Sequence, residues 1–212
     1  MTANTEMLDA TQQDESEVSG HDTKRGGMDP ALLGMMLFIA SEVMFFAALF
    51  AAYFNARATL PVFPPEGYED LLDPMGLPLI VTAILITSSV TMQWATSRIR
   101  KGDRTDLNRA IAVTLVLGVI FLFLQLYDYY ELITHEDFGI NSGVYGTLFY
   151  TLTGFHGAHV LGGVIGLTVI LSRGLAGQFT RKHHVAVEAV HYYWHFVDVV
   201  WVVLFLTLYV IK

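Results

Sequence analysis

The chain has 212 residues, 53% of them hydrophobic and only 15% charged, with a mean hydropathy of +0.48. Soluble domains carry about 25% charged residues; here the charges cluster outside long apolar runs, which excludes an ordinary soluble domain and points to an all-α integral membrane protein. The absence of cysteine excludes a disulfide framework, a CxxC redox pair and a thiolate metal site. The formal charge of −8 says little about partners, because much of the acid lies near the start of the chain and in one later loop.

Residues 1–27, "MTANTEMLDATQQDESEVSGHDTKRGG", lack the basic-then-apolar order of a signal peptide and the Arg-rich character of a transit peptide. They are expected to form a polar, acidic, mobile tail, leaving residues 28–212 as the transmembrane domain. A run of about 20 apolar residues can cross a bilayer as a helix. Such runs lie near Pro30–Ala56, Leu77–Thr96, Leu107–Leu132, Gly143–Leu171 and Val185–Ile211. The expected fold is therefore a bundle of five transmembrane helices. The third run ends in "YDYYEL", where tyrosines favour the interface and Asp128 and Glu131 can reach water. The fourth carries small residues four apart, Gly154, Ala158, Gly162 and Gly166, which let a neighbouring helix approach closely. There is no repeat between the halves of the kind that marks inverted-repeat transporters.

Lys and Arg set the orientation. Lys24 and Arg25 precede the first span, Arg98, Arg100, Lys101, Arg104 and Arg109 fill the second connection, and Arg173, Arg181 and Lys182 fill the fourth. The other two connections, "ATLPVFPPEGYEDLLDPMG" and "THEDFGINS", contain neither residue; only Arg57 and Lys212 fall on that side. The N-terminus is expected on the cytoplasmic side and the C-terminus outside.

Ionisable residues inside the spans are the candidate functional groups. Glu42 lies within the first span, His156 and His159 near the middle of the fourth, and His195 and Asp198 near the middle of the fifth. An acid at the centre of a membrane helix costs about 2.5–3.5 kcal/mol on insertion scales. Sharing one depth, these five could satisfy one another as a polar layer. Both pairs are spaced i, i+3, which puts each pair on one helix face. The layer reads either as a proton relay or ligand site, or as a hydrogen-bonded layer that fixes helix register.

A second constellation, His184, Glu188, His191 and His195, draws a stripe down the inner half of the last span. The donor types suit zinc or non-haem iron. One helix cannot wrap four ligands around one ion, however: His184 and His195 would stand about 16 Å apart along the axis. The alternative is local pairing of Glu188 and His191, or pairing across to a neighbouring helix. Trp194 and Trp201 flank Asp198 and read as packing or lipid anchors. No phosphate-binding Gly loop, nucleophile elbow or basic nucleic-acid patch is present, so no nucleic-acid partner is expected.

The runs "SEVMFF" (41–46), "LQLYDYYEL" (124–132), "GVYGTLFYTLTGFHGAHVLGG" (143–163) and "HHVAVEAVHYYWHFVDVVW" (183–201) resemble subunit III of the haem–copper respiratory oxidases, of the cytochrome c oxidase type. The resemblance covers about residues 30 to 212. It implies the short five-helix bacterial form, which lacks the first two of the long form's seven spans, and a bacterial plasma (inner) membrane. It implies an accessory subunit that binds no haem, copper or other metal itself, packs on subunit I beside subunit II, holds phospholipid and supports proton uptake. Haem and copper are expected in the partner subunits, with cytochrome c as the substrate of the complex and a larger respiratory supercomplex as a further assembly. By the same resemblance Glu42 matches the family's buried acid, and His156, His159, His195 and Asp198 match its polar motif positions. Arg173 is a loose candidate for a lipid headgroup contact. The family often has another residue near His191, so the His184/Glu188/His191 stripe is partly particular to this chain. A quinol oxidase subunit III is the nearest alternative; a membrane di-iron oxygenase would need histidine boxes on one membrane face, and a proton-coupled transporter would need broken helices.

Overall fold

The computed structural model describes residues 29–65, 67–68 and 71–211. The expected tail, residues 1–27, lies outside them. Among the described residues five helices are long and apolar enough to cross a membrane. They are α1 (Pro30–Thr59), α2 (Leu77–Lys101), α3 (Arg104–Thr134), α4 (Gly143–Leu175) and α5 (Val185–Phe205), the last continued by a π turn, Leu206–Val210. The five-helix membrane bundle read from the sequence is the observed fold.

Local chemistry sets the helix ends. The Asp29 carboxylate accepts from the Ala31 amide at 2.8 Å, and Pro30 opens α1, where its missing N–H breaks no helical bond. Gly102 ends α2 at φ 84°, a left-handed conformation that glycine adopts without a Cβ clash. Asp103 then starts α3 by accepting from the Asp106 amide at 3.1 Å. The basic connection between the second and third spans thus shrinks to a two-residue turn, and Arg98, Arg100 and Lys101 stay helical, with long stems that can carry their charges out to water.

α2, α3, α4 and α5 form a closed ring in which each packs on its two neighbours; α1 lies outside it, against α5 and, less extensively, α4. The ring interior holds Met92, Ile99, Ile111, Phe121, Phe149, Leu167, Trp194 and Leu204, all essentially without exposure. The outer faces are also apolar, with Leu37, Met44, Val90, Phe123, Ile165 and Val199 each more than half exposed. Apolar surface inside and outside suits a bundle whose outer solvent is lipid or protein.

Two helices bring bare backbone close to one ring system, the indole of Trp194. A Cβ on Gly118 would stand 2.6 Å from Trp194, and one on Gly163 would stand 2.7 Å from it. Of the sequence-read ladder, Gly162 faces the Tyr193 hydroxyl at 3.1 Å, Gly166 meets Val190 at 3.5 Å, and Gly154 only reaches Tyr129 at 4.0 Å. On α4 the close approach of Trp194 therefore lies at Gly163, one residue off the ladder, because the indole of α5, not a second ladder, requires bare backbone there.

Candidate functional site

The expected single layer separates into three sites around α4 and α5. The first joins α1 to α4. His159 Nε2 lies 3.0 Å from Glu42 Oε2, with both side chains mostly covered. His159 Nδ1 lies 2.6 Å from the Phe155 carbonyl, which can only accept, so Nδ1 carries a proton. One more proton must then lie between Nε2 and Oε2. It makes either an imidazolium–carboxylate pair or a neutral imidazole–carboxylic acid pair, both without net charge. Phe45 and Phe46 close over the imidazole with ring centroids 6.2 and 4.9 Å away. The Tyr193 hydroxyl of α5 donates to the His159 carbonyl at 2.9 Å, so three helices meet at this residue.

The second site joins α5 to α2. Ser89 Oγ lies 2.7 Å from His195 Nδ1, whereas Asp198 Oδ2 lies 3.7 Å from the same nitrogen. At that distance Asp198 is an electrostatic neighbour of His195 and not its hydrogen-bond partner. Both Asp198 oxygens are buried without a hydrogen bond among the described residues. The third site is His156, fully buried, with neither ring nitrogen hydrogen-bonded among the described residues. Its ring lies between Phe121 at 5.7 Å and Trp201 at 5.0 Å. The expectation that all five polar residues satisfy one another is thus corrected: Glu42 and His159 pair, His195 bonds a serine and keeps Asp198 as an ionic neighbour at 3.7 Å, and His156 is packed without a hydrogen-bond partner among the described residues. The i, i+3 spacing puts His156 and His159 on neighbouring lines of α4, yet α1 covers one while α3 and α5 cover the other.

The His184/Glu188/His191/His195 stripe is likewise divided. Glu188 Oε1 accepts from Arg100 at 3.1 Å and stands 3.4 Å from His184 Nε2, making a three-residue ionic contact between α5 and α2. His191 does not join it; its ring meets that of His195 edge to face, with centroids 4.3 Å apart. Among the described residues no three His, Cys, Asp or Glu side chains converge on a position where they could hold a metal ion. Arg173 is exposed and held by its own loop, with Nε donating to Gln178 at 2.9 Å and the guanidinium 5.2 Å from the Phe179 ring. Trp194 and Trp201 are packing residues with a polar tether: their indole N–H groups donate to Ser88 and Thr82 of α2, each at 3.0 Å.

The sequence reading missed the small hydroxyl and amide groups that complete these contacts. Besides Thr82, Ser88 and Ser89, Thr91 bonds Thr114 at 2.7 Å. Gln125 donates to the Thr153 carbonyl at 2.8 Å, and Tyr129 donates to Thr153 Oγ1 at 2.7 Å. The available signal was hydroxyl and amide groups inside apolar runs, which bridge helices where lipid offers no partner.

These features define a multi-pass membrane protein whose buried polar groups join helices to one another. The family model for cytochrome c oxidase subunit III matches residues 8–212. Cytochrome c oxidase subunit 3 of Oryctolagus cuniculus is 43% identical over 181 residues, 83% of this chain and 67% of the relative. The Sus scrofa protein of the same description is 42% identical over 202 residues, 92% of this chain and 74% of the relative, and that of Oncorhynchus clarkii is 45% identical over 181 residues, 83% of this chain and 67% of the relative. The chain belongs to the cytochrome c oxidase subunit III family. It is thus an accessory subunit of a multi-subunit respiratory oxidase complex, a reading favoured over a transporter or a di-iron oxygenase.

Proposed function

We propose that this subunit stabilises the membrane part of a proton-pumping, cytochrome c-oxidising complex without a redox centre of its own. It packs on subunit I, with subunit II in the same complex; haem and copper reside in those partners, and phospholipid fills the grooves between them. The Lys and Arg distribution supports a cytoplasmic N-terminus and an outer C-terminus in a bacterial plasma membrane. The exposed Arg173 is the lipid-headgroup candidate of the inner loop.

The observation that carries this reading is the Glu42–His159 contact of 3.0 Å. It fastens the peripheral helix α1 to the ring and keeps one exchangeable proton inside the membrane region. A subunit built this way supports proton uptake next door through assembly and local electrostatics, not through bound substrate. The test is purification from native membranes with a haem spectrum, identification of the partner chains, and oxygen uptake with reduced cytochrome c against a quinol. Co-purification with a haem- and copper-bearing subunit and preference for cytochrome c are expected. Oxidation of the quinol alone would transfer the same role to a quinol oxidase; isolation of the chain by itself with stoichiometric iron would overturn the assignment.

A further inference from the structure

A line of ionisable side chains runs down α5 along its seam with α2, and the helix ties use only part of it. Glu188, His191, His195 and Asp198 follow at three- or four-residue steps, so they share one helix face and span about 15 Å of the axis. At the end of the bundle where α2 finishes and α5 begins, Glu188 holds Arg100 at 3.1 Å and His184 at 3.4 Å, and the Arg100 side chain is 60% exposed. Among the described residues, His195, Arg100 and Glu188 are the charged or titratable groups that face His191. The His191 and His195 rings meet edge to face, centroids 4.3 Å apart. His195 Nδ1 lies 2.7 Å from Ser89 Oγ and 3.7 Å from Asp198 Oδ2, the latter about 0.5 Å beyond hydrogen-bond range. His195 and Ser89 are the groups that face Asp198. A structural tie needs filled hydrogen bonds, and this line has them at Arg100–Glu188 and Ser89–His195. Yet His191 Nδ1 and both Asp198 oxygens are buried with no hydrogen bond among the described residues. Unfilled polar atoms cost stability and fasten nothing; a moving proton, in contrast, needs an open acceptor at every turn.

We propose that this line carries protons between the water at the Arg100 end of the bundle and a proton store at Asp198. A proton from water passes by way of Glu188 to His191, then to His195 and then to Asp198. Each step breaks one O–H or N–H bond and forms the next, so one proton leaves the water and one is gained at Asp198. An imidazole suits the two middle steps because it accepts at one ring nitrogen and releases from the other. At the far end, one proton shared by His195 and Asp198 leaves the pair without net charge, the form that a membrane interior tolerates. Beyond Asp198 the seam holds no further relay: Val199–Val210 of α5 and Leu77–Ser88 of α2 contain no Asp, Glu, His, Lys or Arg. The proton therefore returns by the way it came, which makes the line a store and not a channel. The His195 side chain is 32% exposed, so a change of charge in a neighbouring subunit can draw the proton in or release it. That use by the complex rests on the accessory role proposed above; the line itself belongs to this chain alone.

The test follows Asp198 by infrared difference spectroscopy of the intact complex after a rapid fall in pH. A carboxylic acid carbonyl band that rises in the wild type and is missing in Asp198→Asn is expected. His191→Phe keeps an aromatic ring against His195 but removes the relay nitrogens, and it should slow the rise at least tenfold. Glu188→Gln, at the mouth of the line, should slow it at least threefold, and it decides the matter where His191→Phe sheds the subunit. Coincident spectra for wild type and Asp198→Asn overturn the store. A band that rises equally fast in wild type and in the variants that retain the subunit overturns the line. Purification without haem- and copper-bearing partners would overturn the accessory role instead and leave these infrared outcomes as they stand, so the two failures are distinguishable.

Discussion

His159 holds one ring nitrogen against its own helix, at the Phe155 carbonyl, and presents the other to Glu42 at 3.0 Å. The first bond fixes the ring; the second therefore depends on a single proton shared across the α1–α4 interface. Glu42→Gln keeps a donor for Nε2 but removes the titratable oxygen. It is expected to leave the complex assembled while changing proton uptake or catalytic lifetime, as read by oxygen consumption with time and by proton uptake in vesicles. Glu42→Leu removes the partner altogether and should strip the subunit from the complex more readily on detergent exchange. Unchanged turnover, pumping and lifetime in Glu42→Gln would leave the carboxyl as a structural tie only.

The second polar site offers His195 two neighbours. Pairing of Asp198 with His195 predicts that Asp198→Leu weakens retention of the subunit, but the nearer partner of His195 is Ser89, at 2.7 Å against 3.7 Å. Ser89→Ala leaves a half-buried imidazole without its bond, a loss of about 1–3 kcal/mol. Asp198→Asn changes a buried carboxyl group that makes no hydrogen bond among the described residues and should be tolerated better. Retention of the subunit over a detergent series ranks them: Ser89→Ala below Asp198→Asn is expected, and the opposite order would restore Asp198 as the main tie.

Much of this was legible beforehand, for reasons that differ by level. Run length and hydropathy determine membrane helices almost by themselves, since a span must satisfy its backbone internally. Helical period also put His184 and Glu188 on one face, and they do meet. Period gives the face of a residue but not the helix opposite it. That is why His156 and His159, three residues apart, could be read as one site when α3 and α5 cover the first and α1 covers the second. Ser89 was illegible for another reason: a serine in an apolar run looks like filler until a histidine arrives from a helix 106 residues away.

The inner ionic contact should matter less than its conspicuous charges suggest. Arg100, which bonds Glu188 at 3.1 Å, has a side chain 60% exposed. Exposed pairs of this kind contribute about 0–1 kcal/mol. Arg100→Gln is expected to shift the thermal midpoint of subunit dissociation only slightly, and the remaining difference should shrink with added salt. A large, salt-independent fall would mean that Arg100 is buried against another subunit in the complex.

The sharpest packing test surrounds Trp194. Its indole N–H is fixed to Ser88 Oγ at 3.0 Å, so the ring cannot swing away without losing a buried bond. A Cβ on Gly163 would meet the ring at 2.7 Å, whereas one on Gly166, a turn further along the same helix, meets Val190 at an ordinary 3.5 Å. Gly163→Ala therefore forces either the indole or the α4–α5 spacing to give, at about 1–3 kcal/mol for an overpacked core. Gly166→Ala should be close to neutral, since helix propensity favours alanine and nothing must move. Thermal dissociation of the subunit, followed together with tryptophan fluorescence, compares the two directly. A lower midpoint and an altered emission for Gly163→Ala alone are expected; equal behaviour of the two variants would show that the ring has slack that this geometry denies it.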